Sequence, residues 1–222
     1  WIAYRPTDYA YLMSAKTLQT LYRNCLMLLQ ELVGEDNFKY SLSTKEGRLF
    51  GRKILLEGAN DAKSENKIRG MTLGGAYCDE LTLFPKDFFS MLLSRLSVKG
   101  AKLIATTNPD VPTHWLKKEY IDNAKVDMLV LRFLIDDNTT LPEEYVREIK
   151  KEYTGVYFER FICGNWVAAE GVIYPLFADN PSRYIVDTLP EDLMFATIGG
   201  DFGGNGSAHT LNATGFTKGF QI

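Results

Sequence analysis

A chain of 222 residues with 45% hydrophobic content has material for one large core or two smaller ones, and 13 Phe with 12 Tyr exclude a disordered polymer. The net charge of -3 carries no global basic signature for nucleic acid, though local basic patches stay open. Cys25, Cys78 and Cys163 are far apart, form no CxxC pair and are joined by only two histidines, which argues against a zinc site and against a disulfide framework. That usage suits a reducing, cytosolic setting. No run of about 18 apolar residues offers a membrane span. Trp1-Ile2-Ala3-Tyr4-Arg5-Pro6 lacks the layout of a secretory signal, and an opening on Trp1 leads us to expect that the chain starts inside a longer protein.

In chain order, Tyr9 to Met13 reads as a strand, and Lys16 to Leu32 as a helix with apolar residues at 18, 21, 25, 28, 29 and 32. Phe38 to Leu42 alternates like a half-buried strand. Leu49-Phe50 and Lys53 to Glu57 flank Gly51-Arg52 as a hairpin with the second strand more buried. Met71 to Cys78 is an apolar strand, Pro85 opens a helix to about Leu96, and Ala101 to Thr106 is the next strand. This alternation predicts a parallel sheet with crossover helices. Further on, the pattern predicts a short helix from Pro112 to Asp122 and a strand from Met128 to Ile135. A helix from Glu143 to Tyr153 behind Pro142 and a helical stretch from Thr154 to Asn165 follow. A boundary is expected between Trp166 and Arg183, where Gly171, Pro175 and Pro181 punctuate the chain. Met194 to Gly200 then reads as a strand closing on Asp201, with a Gly203-Gly204-Asn205-Gly206 turn and a second strand near Thr210 to Thr217.

Two strand ends hold residues suited to phosphate chemistry. Gly74 to Cys78 stops at Asp79-Glu80, and Leu103 to Ala105 stops at Thr106-Thr107-Asn108. A strand-end Asp can sit in a Mg2+ shell while the Glu beside it orients and deprotonates a water. Hydroxyl and amide groups on the neighbouring strand can sense a terminal phosphate. The alternative is an ordinary strand end whose acids cap the next turn. The span from Glu80 to Thr106 has room for a crossover helix, and ligands bind at such carboxyl ends in open α/β sheets. A phosphate-cradling G-x-x-x-x-G-K-[ST] loop is absent from the sequence. Ser14-Ala15-Lys16-Thr17 lacks its glycines, so Lys16-Thr17 reads as a helix start. Asp201 beside a glycine-rich turn is either a metal ligand or an Asp opening a hairpin.

Ile68-Arg69-Gly70, Gly75-Ala76-Tyr77-Cys78-Asp79-Glu80, Leu92-Leu93-Ser94-Arg95-Leu96-Ser97, Ala105-Thr106-Thr107-Asn108-Pro109 and His114-Trp115-Leu116-Lys117-Lys118 resemble the large terminase subunit of tailed bacteriophages. So do Asp136-Asp137-Asn138, Gly164-Asn165-Trp166 and Gly171-Val172-Ile173-Tyr174, in the same order, and the resemblance covers nearly the whole chain. It implies a P-loop NTPase-like α/β fold with a mainly parallel sheet and flanking helices, then the first strands of an RNase H-like nuclease domain. The implied divisions are an ATPase core at 1–122, a linker or lid at 123–180 and the nuclease start at 181–222. The implied activity is ATP-driven packaging of viral DNA into a procapsid with cleavage of the concatemer.

Residue by residue, the resemblance makes Asp79 the Mg2+ ligand, Glu80 the catalytic glutamate and Thr106, Thr107 and Asn108 a coupling motif that contacts the nucleotide. Arg69 becomes a finger on a neighbouring subunit's ATP, against the alternative of a salt bridge within its loop. Asp201 becomes the first ligand of a two-metal nuclease site holding Mg2+ or Mn2+. Implied partners are double-stranded viral DNA, a portal protein, a small terminase subunit and further copies in a ring, with no membrane, in the host cytoplasm. Relatives carry the phosphate loop shortly before a residue resembling Trp1, so this stretch alone is expected to bind ATP poorly and to be inactive. His114 and Trp115 are expected to pack and cap a helix, Lys117-Lys118 and Lys150-Lys151 to form solvated faces, with contact to DNA phosphates as the alternative, and His209 to stand outside the chemistry, with an approach to the metal site as the less favoured alternative. Asp187, Glu191 and Asp192 read as surface acids. The competing readings are another P-loop nucleic-acid motor, such as a helicase or recombination ATPase, and a non-catalytic assembly protein that keeps the fold.

Overall fold

The computed structural model describes residues 2–168, 176, 181–185, 188, 191–201 and 210–217. Two compact units divide the chain, residues 1–179 and 180–222.

The first unit is built on a six-stranded sheet. Its strands are β1 (Ala10–Ala15), β2 (Phe38–Ser41), β3 (Glu46–Leu49), β4 (Arg52–Gly58), β5 (Leu73–Cys78) and β6 (Lys102–Ala105), in the order β2-β3-β4-β1-β5-β6. The four strands β4, β1, β5 and β6 run parallel, and β2 and β3 extend the sheet as an antiparallel meander. β1 is central, and Tyr11 to Ala15 are all buried, as a strand covered on both faces requires. The hairpin between β3 and β4 turns through Phe50 and Gly51, both with positive φ (48° and 80°). Two left-handed residues in succession give the turn whose twist matches antiparallel strands.

Side chains alternate across the sheet and create two cores. On one face Leu12, Ala76 and Cys78 pack with Leu81, Phe84, Phe88, Phe89 and Leu92. On the other, Tyr11, Met13 and Ala15 pack with Leu21, Leu26, Phe38, Ile54 and Leu56. The first face is covered by α4 (Lys86–Arg95), which Pro85 precedes and which carries the crossover from β5 to β6. The predicted helix from residue 16 to 32 covers the second face. It consists of α1 (Leu18–Leu21), a π-helical turn (Tyr22–Leu26) and α2 (Met27–Val33) in unbroken succession. Thr17 caps it by accepting the Thr20 N–H at 3.0 Å, so Lys16-Thr17 is a helix start.

The later part of this unit departs from the sequence expectation. Met128 to Leu134 forms no strand; it runs into a 3-10 turn at Ile135–Asp137. Leu129 and Phe133 are 82% and 76% exposed, and the neighbouring strand that would pair with them is absent among the described residues. Apolar alternation alone therefore overstates the strand, because a ladder needs a partner edge. The helix predicted from residue 112 narrows to a short stretch ending in a π-helical turn at Lys117–Ile121. α5 (Glu143–Glu152) follows Pro142 with Glu143 and Glu144 in its first turn and Lys150 and Lys151 in its last, as the helix dipole favours. α6 (Gly155–Tyr157) and a π-helical turn at Phe158–Ile162 close the described part. Of residues 163–183, those at 169–175 and 177–180, with Gly171 and Pro175, lie outside the described residues.

The second unit contains β7 (Leu193–Asp201) and β8 (Thr210–Thr217), an antiparallel pair in which Asp201 stands opposite Thr210. Residues 202–209, including the glycine-rich turn and His209, lie outside the described residues, as does Asp187.

Candidate nucleotide-hydrolysis site

The carboxyl ends of the parallel strands share one rim of the sheet. Backbone bonds stitch that rim together: Asp79 N–H to Ser14 O at 2.8 Å, Ala59 N–H to Ala15 O at 2.9 Å, Thr106 N–H to Cys78 O at 3.0 Å and Leu81 N–H to Thr106 O at 2.9 Å. The two strand ends singled out in the sequence thus meet directly, Asp79-Glu80 beside Thr106-Thr107-Asn108.

Asp79 is only 8% exposed. Its Oδ1 accepts the Thr106 hydroxyl at 2.9 Å and the Tyr77 hydroxyl at 3.3 Å, and its Oδ2 accepts the Asn24 amide at 3.1 Å. All three donors are neutral, and no Lys, Arg or His side chain pairs with Asp79 among the described residues. A buried carboxylate without a cationic partner carries a desolvation cost that a bound cation would offset. Oδ2 also keeps a lone pair that these bonds leave open. Magnesium takes one or two carboxylates and retains several waters, rather than a cage of protein ligands. A buried Asp79 with an open lone pair and no cationic partner fits such a shell as its one carboxylate.

Glu80 stands on a different footing. Its backbone is left-handed, with φ 56° and ψ 56°, a conformation that costs a side-chain-bearing residue about 1–2 kcal/mol. Both of its carboxylate oxygens accept the Asn108 amide, at 3.1 and 3.2 Å. Thr107 completes the contact by accepting the Thr82 N–H at 3.0 Å and sharing a hydroxyl bond with Thr82 at 2.8 Å. The strained turn lets Asp79 remain buried while the adjacent carboxylate stays partly open.

Burial, followed by the nearby Asp79 carboxylate, pushes the Cys25 thiol up to about 12. Burial also raises Tyr77 well above the ordinary phenol range, so it remains a neutral donor to Asp79. His114 anchors the loop beyond the rim. Its Nδ1 accepts the Leu116 N–H at 3.1 Å, which leaves the proton on Nε2 to bond Thr82 O at 3.1 Å. Its ring packs at a tilt against Trp115 and Trp166 (centroids 5.2 and 6.0 Å away), in keeping with its expected packing role.

Arg69 makes no hydrogen bond or ion pair with this cluster among the described residues. Arg69 follows α3 (Glu65–Ile68), is 61% exposed at its side chain and pairs with Glu65 at 2.9 Å. Asp201 ends β7 in the second unit. Lys117 pairs with Asp122, Lys150 with Asp136 and Lys151 with Glu148, all near the surface. Sequence reading overlooked Asn24, Tyr77 and Thr82. Tyr77 was legible, because a strand puts residues 77 and 79 on one face.

A family model described as the N-terminal part of the T4-like-virus type of large terminase subunit matches residues 33–179. Among solved structures, the large terminase of a thermophilic bacteriophage in complex with ADP is 30% identical, with a TM-score of 0.68 over 96% of this chain and 54% of that one. The same terminase in complex with ATP-gamma-S is 29% identical, with a TM-score of 0.68 over 99% of this chain and 54% of that one. The chain therefore spans about half the length of the solved relatives it matches. No curated protein matches it.

Proposed function

The chain belongs to the large terminase family, and from that premise we propose that it supplies the hydrolytic half of an ATP site in a motor that packages double-stranded viral DNA. The observation that carries this reading is the paired strand end, a buried Asp79 without a cationic partner beside a strained Glu80. Asp79 is assigned to Mg2+, with Asn24, Tyr77 and Thr106 fixing its orientation. When bound, the magnesium ion would neutralise charge on the phosphates. Glu80 is assigned as the base that orients and deprotonates the attacking water, and Asn108 holds its carboxylate until then. Thr106 and Thr107 tie the same strand end to both Asp79 and Thr82, so a change at the nucleotide reaches the loop after β5. Nucleotide-bound forms of the thermophilic phage's terminase support an ATP ligand for this rim.

The finer assignments rest on the same resemblance. Arg69, exposed at the surface, is assigned to a neighbouring subunit's nucleotide in a homo-oligomeric ring. Residues 123–180 serve as linker or lid, and β7 opens a nuclease domain of RNase H-like fold in which Asp201 binds Mg2+ or Mn2+. A portal protein and a small terminase subunit are the implied partners, in the host cytoplasm. The test uses the complete protein. Glu80→Gln is expected to retain nucleotide binding and lose turnover by about 10²-fold or more; undiminished hydrolysis refutes the assignment. Asp201→Ala is expected to spare ATP hydrolysis and remove DNA cleavage, and persistent cleavage refutes the second site.

A further inference from the structure

We propose that Asn24 is a positioning residue of the ATP site, and that the π-helical turn Tyr22–Leu26 turns its amide onto Asp79 to fix the carboxylate for metal binding. The inference rests on the reading of Asp79 as the magnesium ligand.

Three observations lead to it. The Asn24 Nδ2 donates to Asp79 Oδ2 at 3.1 Å, while the next residue, Cys25, reaches the Tyr77 hydroxyl at 3.9 Å. Two consecutive helical residues thus address one strand end. In an unbroken α-helix consecutive side chains diverge by about 100°, and a wider turn closed by an i→i+5 bond narrows that angle. Here the closing bond runs from the Met27 N–H to Tyr22 O. Secondly, Asn24 is a polar residue in a mostly apolar wall. Leu28, Leu29, Leu32 and Ile104 line the same groove, of about 420 Å³, between helix and sheet. Thirdly, asparagine is a poor residue for a helix interior, so helix stability gives no reason for it at this position.

The donors divide the work. Thr106 and Tyr77 hold Oδ1 from the sheet, and Asn24 holds Oδ2 from the helix. Without the amide the carboxylate is held at one oxygen only and can rotate. Partners of this kind, behind a metal ligand, typically change metal affinity by about 10–100-fold. Asn24 is exposed, which places the expected effect at the lower end.

The experiment measures Mn2+ binding to the complete protein with ATP-gamma-S, read by electron paramagnetic resonance, alongside steady-state hydrolysis as a function of Mg2+. Asn24→Leu is expected to weaken Mn2+ binding about tenfold and to raise the Mg2+ concentration for half-maximal turnover by a similar factor. Asn24→Gln keeps an amide donor and is expected to fall between wild type and Asn24→Leu. Asp79→Asn is the reference for the loss of the ligand itself. Unchanged Mn2+ affinity in Asn24→Leu, with a clear loss in Asp79→Asn, overturns the role of Asn24 alone. An unchanged affinity in Asp79→Asn overturns the reading on which it rests. A lower melting temperature in Asn24→Leu with Mn2+ affinity intact shows a merely structural role and also overturns the proposal.

Discussion

Glu80 holds its left-handed backbone at a cost, and replacing it by Gly and by Ala measures that cost. Both substitutions remove the bonds from the Asn108 amide, so that contribution cancels between them. What remains is the backbone. At φ 56° alanine retains a strain of about 1–2 kcal/mol that glycine lacks. Glycine in turn loses about 0.4–1 kcal/mol more than alanine through its freer unfolded chain. The difference leaves Glu80→Gly more stable than Glu80→Ala by about 0.5–1 kcal/mol, the reverse of the order at an ordinary position. For a chain of this size that corresponds to about 1–4 °C in melting temperature. Urea-unfolding midpoints of the two variants, with the slopes compared, provide the assay. A Glu80→Ala protein as stable as Glu80→Gly, or more so, would show that the strain is absent and that Glu80 is not held for function.

Two further outcomes follow from packing and burial. A Cβ on Gly74 would lie 2.8 Å from Cζ and 2.9 Å from the hydroxyl oxygen of Tyr11. That ring is 2% exposed and its hydroxyl bonds Pro6 O at 3.0 Å, so it has little room to move. Gly74→Ala is expected to cost about 1–3 kcal/mol in urea unfolding, and a loss below about 0.5 kcal/mol contradicts the contact. Cys25 is expected to alkylate slowly. With its thiol raised from 9.0 to about 12, its thiolate fraction at pH 8 is about a thousandfold below that of an unperturbed thiol. The rate should climb about tenfold per pH unit up to that value, and labelling at pH 8 near the free-thiol rate contradicts the burial.

Much of the sheet was legible because its signals are local. β1, β5 and β6 are short apolar runs, Pro85 marks a helix start, and Gly51 marks the hairpin, although its turn falls on Phe50-Gly51, one residue before the expected Gly51-Arg52. The paired ends at Asp79 and Thr106 were legible as well, since parallel strands joined by a crossover helix bring their carboxyl ends together. Met128 to Leu134 misled, because alternation reports which face could be buried and carries nothing about a partner edge. The apolar stripe from 18 to 32 reads as one regular helix, so the π-helical turn at Tyr22–Leu26 and the reach it gives Asn24 were hidden. The left-handed Glu80 was hidden too, since glutamate has no preference for that region and tertiary bonds impose it.

The distances along the chain between the residues that meet at Asp79 set an order of events during synthesis. Asn24 and Asp79 are 55 positions apart and Asp79 and Thr106 are 27 apart, so a nascent chain completes the set of bonds to the carboxylate only after its sixth strand has emerged. The helix bearing Asn24 gains a strand end to address once β5 has emerged, and only the Thr106 bond waits for β6. Such non-local closure slows folding relative to the hairpin of β3 and β4, whose contacts form early. The hydrolytic rim therefore needs β1, β5 and β6 together, and its integrity reports that these parallel strands are in register.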